Sequence, residues 1–484
     1  MITLALIFFP LIASILVFLS GNNNAKKVAL LGGLVQFVLS LVALSKYQVD
    51  PSSLAVNQAW LTSLGVNFTV GIDGIGIVLV LLTSFLIPII ILSTFEREFK
   101  NAAAFYALIL FMSSALIGVF VSYNLLLFYI FWEAALIPIY FIAGYWGGED
   151  RVKVTFKFFL YTIIGSLFML VGIIYVYLQA RSFDYTTLSA LELTCSQQGW
   201  LFWAFFIAFA IKMPIFPFHT WQPNTYTTAP AAGTMLLSGI MLKMGIFGVI
   251  RWLVPISKAA FLCNGDIVIV FAVIGIVYGA VLAIKQDDIK RLVAFSSISH
   301  VGLIAAGLFA ANELSLQGSV IQMFAHGVNV VGIFFIVDLI ERRTGTRSIK
   351  ELGGIINQAP LLSVFFVIIM LGSVALPLTN GFVGEFLLLN GLFQYHAGLA
   401  AVAGLSIILG AVYMLKMYQN VMLGESNEVT SNFAPLTLSE IIVLTVISAT
   451  VIIMGVYPKY FLDLSQADIH SLVSSHCSSA SCIK

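Results

Sequence analysis

Glu133, Lys212, Lys243, His300, His326 and Glu385 are ionisable side chains set in stretches that are otherwise apolar. In chain order they alternate acid, base, base, imidazole, imidazole, acid, a set that can pass a proton from group to group. An ionised side chain at mid-depth in a bilayer costs at least ~2.5–3.5 kcal/mol, so such residues face protein or a wet cavity and mark ion or proton paths. Glu133 follows Asn124 in NLLLFYIFWEAALIPIYF, which puts it roughly 13 Å along a helix at ~1.5 Å per residue. Lys212 lies in FAIKMPIFPFHT, just before Pro214 and Pro217, so a charge and a helix break coincide. His300 follows Ser296 by one helical turn, while Gln322, His326 and Asn329 share a helix face by their i, i+4, i+7 spacing. Glu385 comes after a second break, Pro377-Leu378-Thr379-Asn380-Gly381.

The elements that position these groups are membrane helices. The chain has 484 residues, 60% hydrophobic and 9% charged, far from the roughly 25% charged residues of soluble domains. Runs that can each span a bilayer at about 20 residues fall at about 2–20, 28–46, 72–94, 102–121, 124–144, 156–179, 200–218, 230–250, 266–284, 292–311, 316–340, 359–391, 398–423 and 437–456. The fold class expected is an all-α polytopic membrane protein of about fourteen helices, two of them discontinuous. The first run lacks a basic leader and reads as a retained helix, and the longest loops, about 45–70 and 180–199, read as polar turns.

Placing both termini outside puts fourteen of the 23 lysines and arginines in inner loops, among them Lys26, Arg97, Lys153, Lys290 and Arg347. Six lie outside, including Arg251 and Lys258, which satisfies the positive-inside rule. The same topology puts Cys195, Cys263, Cys477 and Cys482 outside, where Cys477 and Cys482 are close enough in sequence to pair. Lys416 reads as a snorkelling side chain, Asp73 as a helix cap, Asp287 and Asp288 as part of a solvated loop, and His219 as closing the wet end of the broken helix. His396, His470 and His476 lie outside without metal-ligand spacing. His300 with His326 leaves a haem pair open on residue type. The net charge of +1 gives no basic surface for nucleic acid. No phosphate loop, dinucleotide glycine fingerprint or CxxC cluster is present.

The blocks FWEAALIPIYFIAGYWG at 131–147, FAIKMPIFPFHTWQPNTYTTAP at 209–230, LLSGIMLKMGIFGVIR at 236–251, IKRLVAFSSISHVG at 289–302, MFAHGVNVVGIFF at 323–335 and LPLTNGFVGEF at 376–386 resemble the antiporter-like subunits of respiratory complex I, the NADH-quinone oxidoreductase. Within that family the wording is similar to the subunit M, or NADH dehydrogenase subunit 4, type. The tail after Tyr457 has no room for the lateral helix of subunit L, and subunit N and Mrp-type subunits typically carry lysine where this chain has Glu385.

The resemblance implies an N-terminal three-helix segment at 1–101, two inverted five-helix repeats at 102–250 and 251–423, and a C-terminal helix with an outside tail at 424–484. It also implies that Glu133 and Lys212 form the coupling pair of the first half, that Lys243 links it to a central axis, and that His300 and His326 continue toward Glu385. Cofactors are implied in partner subunits only, namely NADH, FMN, iron–sulfur clusters and quinone. The partners implied are membrane subunits of the L and N types flanking this chain in a bacterial inner membrane. An Mrp-type cation/proton antiporter subunit or a membrane-bound hydrogenase subunit is the alternative.

Overall fold

The computed structural model describes residues 1–62 and 65–477, without the side chains of 475–477. The Cys477–Cys482 pairing and the His476 side chain lie outside the described residues. The helices in order are α1 (Ile2–Leu19), α2 (Gly21–Val49), α3 (Gly74–Ser93), α4 (Ala102–Val121), α5 (Leu125–Trp146) and α6 (Arg151–Ala180). They continue with α7 (Cys195–Lys212), α8 (Gln222–Thr228), α9 (Ala231–Ile256), α10 (Lys258–Ile284), α11 (Ile289–Ala310) and α12 (Glu313–Thr344). The last are α13 (Pro360–Ser373), α14 (Asn380–Tyr395), α15 (Ala397–Met422), α16 (Leu438–Val456) and α17 (Lys459–Cys477). Among the described residues, 12 helices are long and apolar enough to cross a membrane.

Burial sorts these helices into two kinds. The apolar windows of α9, α11 and α12 are 100% buried, whereas those of α1, α2, α6 and α16 are 39% buried. A helix with no lipid-facing side can carry a polar group anywhere along its length, provided a neighbour solvates it. Lys243, His300 and His326 stand on these three helices.

The two expected breaks are present, and each has a local cause. Pro214 has no N–H to continue α7, which ends at Lys212 with Met213 N–H donating to Phe209 O (2.9 Å). Trp221 Nε1–H then donates to Ile211 O at 3.0 Å, satisfying a carbonyl that the break leaves free. In the second break, Ala375 and Leu378 take left-handed backbone angles (φ 56° and 72°). Side chains adopt that region at a cost of about 1–3 kcal/mol each, when surrounding packing fixes it. The packing here is Gly455 of α16, where an added Cβ would stand 2.3 Å from Leu378 O.

Two expectations about the loops are corrected. Residues 45–70 are not an irregular loop: β1 (Val56–Leu61) and β2 (Val66–Val70) pair antiparallel and cover the end of α4 through Gly71 N–H to Val121 O at 2.8 Å. The segment after Tyr457 is not merely a tail, since α17 packs on α3 and α12. Gly74 N–H donates to Asp468 Oδ2 at 2.6 Å, Tyr47 Oη–H donates to Leu464 O at 3.2 Å, and Phe461 packs on Phe324.

The Asp468 carboxyl, outside the spans, is pushed up from 3.8 to about 6, first by burial and then by the neighbouring Asp73. A folded pKa above the unfolded value means that docking of α17 strengthens as pH falls through the folded pKa and weakens above it. Amide exchange in residues 459–474, corrected for its intrinsic rate, is therefore expected to slow between about pH 7.5 and about pH 5.5. Asp468→Asn should remove that pH dependence.

Candidate functional site

Asn124 starts α5 by accepting from Leu126 N–H (3.1 Å) and Leu127 N–H (3.2 Å), and this fixes where Glu133 comes on the helix. Glu133 is half-buried, and its Oε1 has no hydrogen-bond partner among the described residues. Lys212, at the broken end of α7, is 2% exposed, and its Nζ is also without a hydrogen-bond partner among the described residues. The ammonium stands 5.0 Å from the centre of the Trp132 ring, and the charge acting on it is the Glu133 carboxylate. A cation–π face and one carboxylate are weak solvation for a buried cation.

The next group is held differently. Lys243 lies between two π turns of α9, Leu237–Met241 and Val249–Leu253, a distortion common at functional positions in helices. Its Nζ donates to Ser238 O at 2.7 Å and lies 3.0 Å from His326 Nδ1. With Nδ1 accepting, the other ring nitrogen donates to Ser297 Oγ, 3.2 Å away. His326 and His300 face each other with ring centroids 5.9 Å apart. His300 Nδ1–H donates to Glu385 Oε1 at 2.9 Å, and Gln322 Nε2–H reaches the same oxygen at 3.4 Å.

His300, Gln322, His326, Asn329 and Ser296 line a chamber of about 20 Å³. That is room for roughly one water, and too little for a porphyrin. Gln322 Oε1, Asn329 Oδ1 and His300 Nε2 are buried there without partners among the described residues, which is the set of groups that a bridging water satisfies.

The structure thus brings the six expected residues into two groups, Glu133 with Lys212 and Lys243 with His326, His300 and Glu385. Lys416 is exposed at its helix end, consistent with snorkelling. Asp73 caps α3, accepting from Gly76 N–H at 2.7 Å, and it also pairs with Arg251 at 2.5 Å.

Two other expectations are corrected. Arg251 is not in an outer loop but buried near the end of α9, 6% exposed, against Tyr123 at 4.5 Å. Lys290 and the aspartates before it are not a solvated loop. Lys290 is 5% exposed and donates to Ala229 O at 2.7 Å, Asp288 caps α11 and pairs with Arg347 at 3.1 Å, and Asp287 accepts from Ser348 Oγ at 2.7 Å. His219 is buried and stacks on Phe216 at 5.6 Å. His396 caps the following helix through Leu399 N–H at 3.2 Å. Cys195 and Cys263 are exposed free thiols, and no cluster among the described residues has the make-up of a metal site.

Fold and site together define a class, the polytopic membrane proteins that carry a row of titratable groups on buried helices. The family model described as NADH:quinone oxidoreductase/Mrp antiporter, transmembrane, matches residues 122–410. NADH-quinone oxidoreductase subunit M of Rickettsia prowazekii is 40% identical over 96% of this chain and 97% of its own length. That of Rhodobacter capsulatus is 36% identical over 94% and 92%, and NADH-ubiquinone oxidoreductase chain 4 of Marchantia polymorpha is 35% identical over 97% and 96%. A chain of respiratory complex I from Thermus thermophilus superposes with a TM-score of 0.91 at 29% identity, covering 98% of this chain and 100% of that one. A chain of the Mrp complex from a Dietzia species superposes with a TM-score of 0.82 at 19% identity, over 98% and 99%, a likeness of fold alone. The chain belongs to the NADH-quinone oxidoreductase subunit M family.

The buried His300–Glu385 pair sets a stability test. Removing one partner of a buried hydrogen bond to a carboxylate leaves the other partner unsatisfied, at a cost of roughly 1–3 kcal/mol or more. His300→Ala should therefore lower the thermal unfolding midpoint markedly, and adding Glu385→Gln to the same chain should recover part of the loss.

Proposed function

We propose that this chain is a proton-carrying membrane subunit of NADH-quinone oxidoreductase, moving protons along Glu133, Lys212, Lys243, His326, His300 and Glu385 while quinone is reduced elsewhere in the complex. The observation that carries the reading is the alignment of two hydrogen-bonded pairs, Lys243 with His326 and His300 with Glu385, whose imidazole rings stand 5.9 Å apart beside a water-sized chamber. Passive ion pairs in such a place are replaceable by apolar residues. A series of groups, each able to hold the proton in turn, is what a relay needs.

In this reading Glu133 is the switch. At ~6 Å and an effective dielectric of ~20, its carboxylate stabilises an ammonium at Lys212 by roughly 2.8 kcal/mol. Withdrawing or neutralising it makes Lys212 a proton donor toward Lys243. Access from the inner face fits a cavity of about 500 Å³ that reaches Ala229, Pro230 and Lys290 at the start of α9. The two broken segments, α7–α8 and α13–α14, complete fourteen spans. Residues 102–250 and 251–423 then form two inverted repeats, between an N-terminal segment at 1–101 and a C-terminal one at 424–484. Both termini lie outside a bacterial inner membrane, and subunits of the L and N types flank the chain. NADH, FMN, iron–sulfur clusters and quinone are held by partner subunits and none by this chain, whose own residues only hold and pass protons.

NADH-driven acidification of inverted membrane vesicles is the test. Glu133→Gln and Lys212→Ala should abolish it while the chain remains in the membrane. Normal acidification by either variant contradicts the proposal, and tolerance of Lys212→Met would show that the lysine serves only to fill space.

A further inference from the structure

We propose that Gln322 and Asn329 are positioning residues that hold the relay's proton on His300, through one water in the chamber beside it; this rests on the relay reading above. The His300 ring is fixed by its Nδ1–H, which donates to Glu385 Oε1 at 2.9 Å. Its Nε2 is buried without a partner among the described residues. His300 lines the chamber of about 20 Å³ together with Ser296, Gln322, Asn329 and Gly372. The Gln322 amide is fixed as well, since its Nε2–H reaches Glu385 Oε1 at 3.4 Å, and an amide oxygen turned to that carboxylate would be repelled. Gln322 Oε1 is thereby left over Gly384, where an added Cβ would stand 2.2 Å from it.

Asn329 presents its oxygen over a second glycine. An added Cβ on Gly372 would stand 3.1 Å from Asn329 Oδ1 and 3.1 Å from Asn380 Oδ1, so two amide oxygens converge on one point of the chamber wall. Gln322, Asn329 and Asn380 are all buried, and none of their amide oxygens has a hydrogen-bond partner among the described residues. The charged and titratable groups that face His300 are Glu385 on α14 and His326 on α12, with Lys243 of α9 behind His326. Tyr413 on α15 is within electrostatic reach of Glu385. His326 has both ring nitrogens engaged, with Lys243 and with Ser297, so it brings neither donor nor acceptor to the chamber.

The balance of donors and acceptors selects the protonation state. With His300 neutral the acceptors are four, its Nε2 and the three amide oxygens. The donors are at most three, two from one water and one from the Ser296 hydroxyl, so one buried acceptor stays bare, which is costly. Protonation turns Nε2 into a donor to the water, and three donors then meet three amide oxygens. The amide dipoles also turn their negative ends to the ring, which favours its cationic form. In the relay the proton reaches Nε2 through the chamber water from the Lys243–His326 side, and Nδ1 then gives up its own to Glu385. One proton enters the ring and one leaves it, so the ring returns to neutral with Glu385 protonated.

The test uses the assembled complex in inverted vesicles and reads the pH profile of the initial rate of NADH-driven acidification. Asn329→Leu and Gln322→Met keep the volume of the side chain and remove the amide oxygen. Each should move the alkaline limb of the profile down by at least about half a pH unit, roughly three-fold in proton affinity, and the double variant should move it further. Asn329→Asp keeps an oxygen acceptor and adds charge, so it should move the limb up, and it decides the matter if the apolar variants fail to assemble. A limb unmoved in these variants overturns the proposal, and so does a loss of rate that is equal at every pH, which is the mark of packing alone. Lys212→Ala, measured alongside, tests the relay separately. Normal acidification there removes the relay, whereas lost acidification there with an unmoved limb in the chamber variants removes only the hold on His300.

Discussion

The hydrogen bond between Lys243 and His326 is the contact on which the rest of the site depends. It joins residues 83 apart in the chain at 3.0 Å, and it connects the half that contains Glu133 and Lys212 to the half that contains His300 and Glu385. A lysine in the middle of a buried helix is tolerable only where acceptors replace water. Ser238 O and His326 Nδ1 supply two of them. Around this contact α9, α11 and α12 are buried along their apolar windows, whereas α1, α2, α6 and α16 are less than half buried along theirs.

The two broken helices complete the arrangement at either side. One leaves Lys212 at the end of α7 with freed backbone groups, and the other sets Glu385 in the second turn of α14, after two strained residues. In both, the break brings a charged side chain to a place where backbone polar groups and cavities can stand in for bulk water. The half-buried Glu133 is the least enclosed of the six residues. In the proposed relay that is where a switch belongs, because a group that changes charge needs an environment that can change with it.

Much of this is legible in the sequence. An ionisable residue inside an apolar run is a strong signal because its cost is high, and Pro214 and Pro377 announce their breaks by lacking an N–H. Other features are not legible, for physical reasons. Partners such as His300 and Glu385, 85 residues apart, are set by packing rather than spacing. Arg251 and Lys290 read as loop residues because they fall at span ends, yet Asp73 and Ala229 O, brought in from distant segments, allow their burial. The strand pair at 56–61 and 66–70 is hidden in the sequence by its polar residues. The sequence VNQAWL followed by VNFTV has enough alternation for a strand pair, but not the apolar weight that marks the membrane helices. The amphipathic α17 is hidden for the same reason.

The central claim is that the two halves form one series path through Lys243 and His326, and its most direct measurement is the additivity of partial defects. The initial NADH-driven acidification rate should be compared for Lys243→Arg, Glu385→Asp and the double variant. A series path predicts that the double variant runs at about the rate of the slower single, because one step limits the flow. Losses that multiply, or a double variant that runs faster than either single, would contradict it.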